Sequence, residues 1–128
     1  MKLISNLLSQ EVIDCLGSSG VVVARTDTLY GVLALADSQQ AVDRVYELKG
    51  RSQYKSPIVL VSDTHQLYDV PGEPVSQLIS QHWPGPVSLI LPSTNAPQWL
   101  RRENQSVAYR MPDHEALRGL ISQVGALI

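Results

Sequence analysis

An α/β domain is what this sequence predicts, on three observations. Short, continuous, β-branched apolar runs, "VVVA" at 21–24 and "PIVLV" at 57–61, have the composition of strands covered on both faces. Between such runs lie segments with apolar residues at helical spacing, clearest at Leu117, Leu120, Ile121 and Val124. Helix-opening residues (Ser9, Asp37 or Ser38, Asp113) precede those segments, and glycines (Gly17, Gly50, Gly125) follow them.

Taken in order, Ser9 caps a first helix with Val12, Ile13 and Leu16 on one face. The strand at 21–24 leads into a polar loop, "TDTLYG", and a second strand at 32–36. A second helix carries Ala41, Val42, Val45 and Leu48 on its apolar face and stops at Gly50. After the strand at 57–61, a third helix presents Val75, Leu78, Ile79 and His82 and is terminated by "WPGP". Strands at 87–91 and 106–110 precede the last helix, and "PSTNAPQWLRREN" between them is irregular. The closing "ALI", 126–128, reads as the first half of another buried strand, as if cut from a longer ancestor. Some strand pairs in such an arrangement are expected to be antiparallel.

A length of 128 residues suits a single domain with one core, and 44% hydrophobic with 17% charged residues excludes a disordered chain. Ten basic and twelve acidic residues leave no global field to recruit nucleic acid, so any polyanion site must be local. The single cysteine, Cys15, cannot form an internal disulfide and reads as a small core residue. No Cys/His spacing suggests zinc. The start is too polar for a signal sequence or a membrane span, and a cytoplasmic location is expected. His65, His82 and His114 are too scattered to suggest a triad, and His82 is expected to be partly buried on its helix face. Trp83 and Trp99 read as packing residues. Arg101 and Arg102 beside Trp99 have the make-up of an RNA contact, with a solvated loop as the alternative.

Positive charge is concentrated in "YELKGRSQYKSP", where Lys49, Arg51 and Lys55 fall within seven positions. Lys49 alone is explained by a helix C-terminus, where a cation contributes about 0.3–1 kcal/mol. Arg51 and Lys55 need an anion or acidic neighbours. Glu47 and Asp43 could serve as such neighbours; the functional reading is a phosphate or carboxylate site. Loops beyond strand ends are where open α/β sheets bind ligands. "RTDTLYGV" adds hydroxyls able to orient a polar ligand, the alternative being a turn whose Thr and Asp side chains bond their own backbone.

The run "RTDTLYGVLALADSQQAVDRVYELKGRSQYKSPIVLVSD", with "HWPGPVSLIL" and "SVAYRMPDHEALRGLI" after it, closely resembles the YrdC/Sua5 family, the threonylcarbamoyl-adenylate synthases of tRNA modification. The resemblance implies a twisted mixed sheet of the YrdC/RibB-like type, with flanking helices, around a positively charged cavity. It implies a nucleotidyltransferase. L-threonine takes up bicarbonate as a carbamate, and the carbamate attacks the α-phosphate of ATP to give threonylcarbamoyl-AMP and pyrophosphate. A second protein system then modifies adenosine 37 of tRNAs. By the same resemblance Lys49 and Arg51 are catalytic and bind phosphate, with Arg110 and Ser88 as further nucleotide-binding residues. Thr28 and Tyr30 belong to the threonine side. Mg²⁺ would accompany ATP, held mainly by its phosphates, with no dedicated metal ligands in the chain.

This sequence departs from the family at Arg25 and Ser52, where proline is usual. Family members continue past an equivalent of "ALI" into a Ser-x-Asn motif and about the last third of the catalytic domain. The resemblance therefore implies a single, C-terminally shortened YrdC-like domain across 1–128. A homodimer covering the shortened edge is the expected structural consequence. The alternative function is a noncatalytic module that binds nucleotide or RNA.

Overall fold

A computed structural model describes residues 4, 6–50 and 57–128. Helices α1 (Gln10–Gly17), α2 (Gln39–Lys49), α3 (Glu73–His82) and α4 (Glu115–Val124) alternate with strands β1 (Val22–Arg25), β2 (Tyr30–Leu33), β3 (Ile58–Leu60), β4 (Leu89–Pro92) and β5 (Ser106–Arg110). The helix ends follow local chemistry. The Ser9 hydroxyl accepts from the Val12 N–H, and the Ser38 hydroxyl from the Ala41 N–H. Gly50 stops α2 in the left-handed region at φ 63°, which a residue without Cβ adopts without strain.

The last helix opens one residue later than Asp113. His114 is its cap, its Nδ1 accepting from the Leu117 N–H at 3.1 Å, while the Asp113 N–H is already engaged elsewhere. Leu48 on α2 is 62% exposed, and on α3 both Leu78 and His82 face solvent, against the expected apolar faces. Only Ile79 of α3 is fully buried, so this helix presents a narrower stripe to the core than its sequence pattern suggests.

Strands β1 and β2 form an antiparallel hairpin. A second sheet has the order β3-β5-β4, with β5 parallel to β3 and antiparallel to β4. Its central strand, β5, is buried at all five positions. The expectation that 21–24 is covered on both faces is corrected here, because β1 alternates in exposure and Val23 is 66% exposed. One face of β1, with Val22 and Ala24, packs on the core beneath α1 and α4, and the other face, with Val23, is uncovered. Strand β2 also begins earlier than expected, at Tyr30, since a tight turn at 26–29 brings Tyr30 into register with Arg25.

The terminal "ALI" joins the two sheets. Leu127 exchanges both main-chain hydrogen bonds with Leu60 of β3, at 2.6 and 3.1 Å. On its other side the Ala36 N–H donates to the Ala126 carbonyl and the Ile128 N–H to the Ala34 carbonyl, at 3.0 and 2.9 Å. Three residues thus knit the hairpin to the larger sheet, as the expected start of a buried strand. The core lies on both faces of the joined sheet. On one face α2 and α3 pack against Val59, Val61, Val107 and Tyr109, and on the other α1 and α4 enclose Leu33, Leu60 and Leu127. Trp83 and Trp99 pack as expected, each donating its indole N–H to a carbonyl, of Val87 and Ala36 respectively.

Candidate functional site

The turn between β1 and β2 is built by Thr26, which is buried. Its hydroxyl donates to the Leu29 carbonyl at 2.7 Å and accepts from the N–H groups of Thr28 and Leu29, both at 3.2 Å. Self-bonding by "TDT" is therefore real, but Thr26 carries it. Thr28 shares in it, its hydroxyl 3.2 Å from that of Thr26, while Asp27 points elsewhere.

Asp27 reaches β5. Arg110 Nη1 donates to both carboxylate oxygens, at 2.7 and 2.8 Å, and the two side chains are only 8% and 9% exposed. The same carboxylate accepts the Asp113 N–H at 2.9 Å. Arg110 Nη1 also donates to the Gly85 carbonyl at 3.3 Å, and the Gly85 N–H donates to the Met111 carbonyl. Burial pushes the Asp27 carboxyl up, but the hydrogen bonds and charge of Arg110 and the Asp113 N–H outweigh it, so the group titrates below its ordinary value of 3.8. Losing one member of such a buried pair costs about 3–5 kcal/mol, because the other charge stays behind unpaired.

Arg110, expected to bind nucleotide, is therefore not a free cation. Its charge is matched by Asp27. Among the described residues, however, every hydrogen bond of its side chain comes from Nη1, and nothing accepts from Nε or Nη2. A guanidinium has five donors in one rigid plane, so half of the fork remains for another acceptor.

The expected site residues distribute around this pair. Thr28 is exposed, its hydroxyl 3.2 Å from that of Thr26, and Tyr30 is 75% exposed two residues on. Both therefore stand on the hairpin end that Asp27 anchors. Ser88 is exposed and lies one step past the Leu89–Tyr109 pair, so the β4–β5 register carries it toward Arg110. Lys49 occupies the last turn of α2, exposed, just before the left-handed Gly50. Arg51 and Lys55 lie outside the described residues.

Two participants escaped the sequence reading as site residues. Asp27 stands 83 positions before its partner, and no local signal announces the pairing. Gly85 sits inside the "WPGP" motif, and a Cβ there would lie 2.7 Å from the His82 carbonyl oxygen, which was not legible from the motif itself.

Among the described residues no group of three or more His, Cys, Asp or Glu side chains could hold a metal ion. A shallow cavity of about 410 Å³ lies between the turn after β3 and α4, lined by Asp63, His65, Glu115 and Arg118 among others. None of the expected site residues lines it. Shape and charge disagree about where a ligand would sit, and the buried, half-used guanidinium is the more specific feature. No described helix is long and apolar enough to cross a membrane.

Comparison with known proteins agrees with the residue pattern. The family model of the Sua5, YciO and YrdC proteins, described as "Telomere recombination", matches residues 14–128. A threonylcarbamoyl-AMP synthase of Marinobacter nauticus is 32% identical over 113 residues, covering 84% of this chain and 60% of that protein. A threonylcarbamoyl-AMP synthase of Bacillus subtilis is 38% identical over 111 residues, covering 82% of this chain and 32% of its own length. Among solved structures, P. abyssi Sua5 complexed with L-threonine superposes with a TM-score of 0.83 at 30% identity, over 91% of this chain and 36% of that one. E. coli YciO, at 18% identity and a TM-score of 0.80, shares the fold. The chain thus spans about three-fifths of the first of these relatives and a third of the second.

Proposed function

The chain belongs to the Sua5/YciO/YrdC family, and from that premise we propose that it is a threonylcarbamoyl-AMP synthase acting on L-threonine, bicarbonate and ATP. The amine of threonine and bicarbonate combine to a carbamate with loss of water. A carbamate oxygen then bonds to the α-phosphorus of ATP as the bond to the pyrophosphate oxygen breaks, leaving threonylcarbamoyl-AMP. The product serves tRNA modification at adenosine 37 in the cytoplasm.

One observation carries this reading: a half-used guanidinium, Arg110, is held at the foot of a hydroxyl-bearing hairpin turn. Every substrate of the reaction is an anion or becomes one, and the phosphoryl transition state spreads negative charge over several oxygens. Fixed donors in a sheltered place stabilise that charge without having to reorganise. In this proposal Arg110 and Ser88 meet the nucleotide. Lys49 and Arg51 meet the phosphates and act in catalysis, and Thr28 and Tyr30 orient threonine. Mg²⁺ would arrive with ATP, held by the phosphates. The likeness to a Sua5 complexed with L-threonine supports the assignment of the threonine side.

A second reading is binding of nucleotide or RNA without turnover, favoured by the charge of Arg110 being already matched by Asp27. Calorimetric titration with ATP, Mg²⁺, L-threonine and bicarbonate, with pyrophosphate release assayed in the same samples, separates the two. A synthase binds and releases pyrophosphate, and loses both when Lys49→Ala and Arg51→Ala are combined. Binding that survives with no release in the parent protein identifies the module instead.

A further inference from the structure

We propose that Asp27 is a positioning residue: together with the Gly85 carbonyl it clamps Nη1 of Arg110 and so aims the remaining edge of the guanidinium, Nε and Nη2, at an anionic group of the substrate. The proposal rests on the functional reading above and adds a residue and a division of labour to it.

The geometry separates the two edges of the side chain. Three acceptors converge on one nitrogen, the two Asp27 oxygens at 2.7 and 2.8 Å and the Gly85 oxygen at 3.3 Å. Were Asp27 only a counter-charge, the fork-to-fork pairing that uses two nitrogens would be the stronger arrangement. Here both oxygens share a single nitrogen, and no described residue accepts from the other two. Asp27 is itself held, by the Asp113 N–H at 2.9 Å, so the clamp does not swing with its own side chain.

The clamp also sets the loop. Asp27 sits between Thr26, which locks the turn through its hydroxyl, and Thr28, whose own hydroxyl lies beside that of Thr26. One carboxylate thereby fixes the guanidinium on β5 and the hydroxyl turn of the hairpin relative to each other. Because Asp27 cancels the charge of Arg110, it weakens long-range attraction for an anion; what it supplies is direction. These two effects predict opposite results when the carboxylate is removed, which makes the proposal testable by sign.

The experiment compares the full chain with Asp27→Asn, Asp27→Glu, Arg110→Lys and, as a control for loss of stability alone, Ile121→Ala in the buried α4 face. ATP and L-threonine are titrated into each, and side-chain ¹⁵N spectra record how freely the Arg110 guanidinium rotates. Positioning predicts that Asp27→Asn binds ATP about tenfold more weakly, the worth of one charge-assisted hydrogen bond, and that its Arg110 signal becomes mobile. Asp27→Glu, which keeps the charge but moves it by one methylene, loses affinity too. Arg110→Lys, which can still meet Asp27 but has no second edge, loses it as well. Ile121→Ala leaves affinity nearly unchanged at a comparable loss of melting temperature.

Affinity for ATP that is equal or higher in Asp27→Asn overturns the proposal, since Asp27 would then be a competitor of the substrate. Losses that follow melting temperature in every variant, the control included, overturn it equally. If the parent binds neither ATP nor threonine, the functional reading fails by itself, and the spectra still decide the clamp. A guanidinium as mobile in the parent as in Asp27→Asn removes the positioning role; one held in the parent and released in the variant upholds it.

Discussion

Replacing Leu127 by Ala removes three carbons from a side chain with no solvent exposure. Transfer alone accounts for about 2.4 kcal/mol at roughly 0.8 kcal/mol per carbon. The cavity left among Leu33, Leu60, Leu120 and Ile121 raises the expected cost to about 3–4 kcal/mol. That is a large part of the roughly 5–15 kcal/mol that stabilises a domain. Leu127→Pro goes further, because it also deletes the N–H that donates to the Leu60 carbonyl at 3.1 Å and leaves that carbonyl unsatisfied, for about 1–3 kcal/mol more. Urea unfolding gives the first number, and amide exchange gives the consequence for the site. With the bridging strand weakened, the amides of Thr28 and Leu29 on the hairpin should exchange faster while those of β5 remain protected. A cost below about 1 kcal/mol for Leu127→Ala, or no change in hairpin exchange in either variant, refutes the idea that 126–128 couples the two sheets.

Acid should destabilise the protein partly through Asp27. Its carboxyl is lowered in the folded state, so the stabilisation is complete above its ordinary value of 3.8 and fades as pH falls through the lower folded value. Unfolding free energies measured from pH 6 downward should therefore converge for the parent and Asp27→Asn, with the gap largest near neutrality. Asp69 adds a parallel contribution: burial raises it, but its bonds to Ser93, Thr94 and Asn95 outweigh this, and Asp27→Asn leaves that part of the acid response intact. Gly85→Ala should cost about 1–3 kcal/mol in a thermal melt, because its Cβ would meet a main-chain oxygen at 2.7 Å that no side-chain rotation relieves. Gly17→Ala, with no atom within 4 Å of the added methyl, should be neutral or gain up to about 1 kcal/mol.

Much of the fold was legible because helix ends and strand runs are encoded over a few neighbouring residues. Ser9, Ser38 and Gly50 act where the sequence places them, and β5 occupies the expected 106–110. The misreadings share a cause. Val23, Leu48 and Leu78 are apolar at the right spacing, yet each faces solvent. Spacing identifies a face; only packing decides how much of it is covered. The helix opening at His114 rather than Asp113 has the same origin, since the Leu117 N–H goes to the His114 ring nitrogen while the Asp113 carboxylate lies 3.6 Å from Arg118.

The site divides along that line too. Sequence alone determined the α/β class and the resemblance that singled out Thr28, Tyr30, Lys49, Arg51, Ser88 and Arg110, because residue types and short spacings are properties of the chain itself. Tertiary structure decided that Arg110 is paired, that Asp27 pairs with it, and that three terminal residues join two sheets. Those facts depend on partners 83 and 67 positions apart, Asp27 with Arg110 and Leu60 with Leu127, brought together by burial of a common core. A hydrogen bond is decided by distance in space, and no local pattern encodes a distance between segments that meet only when the sheet has formed.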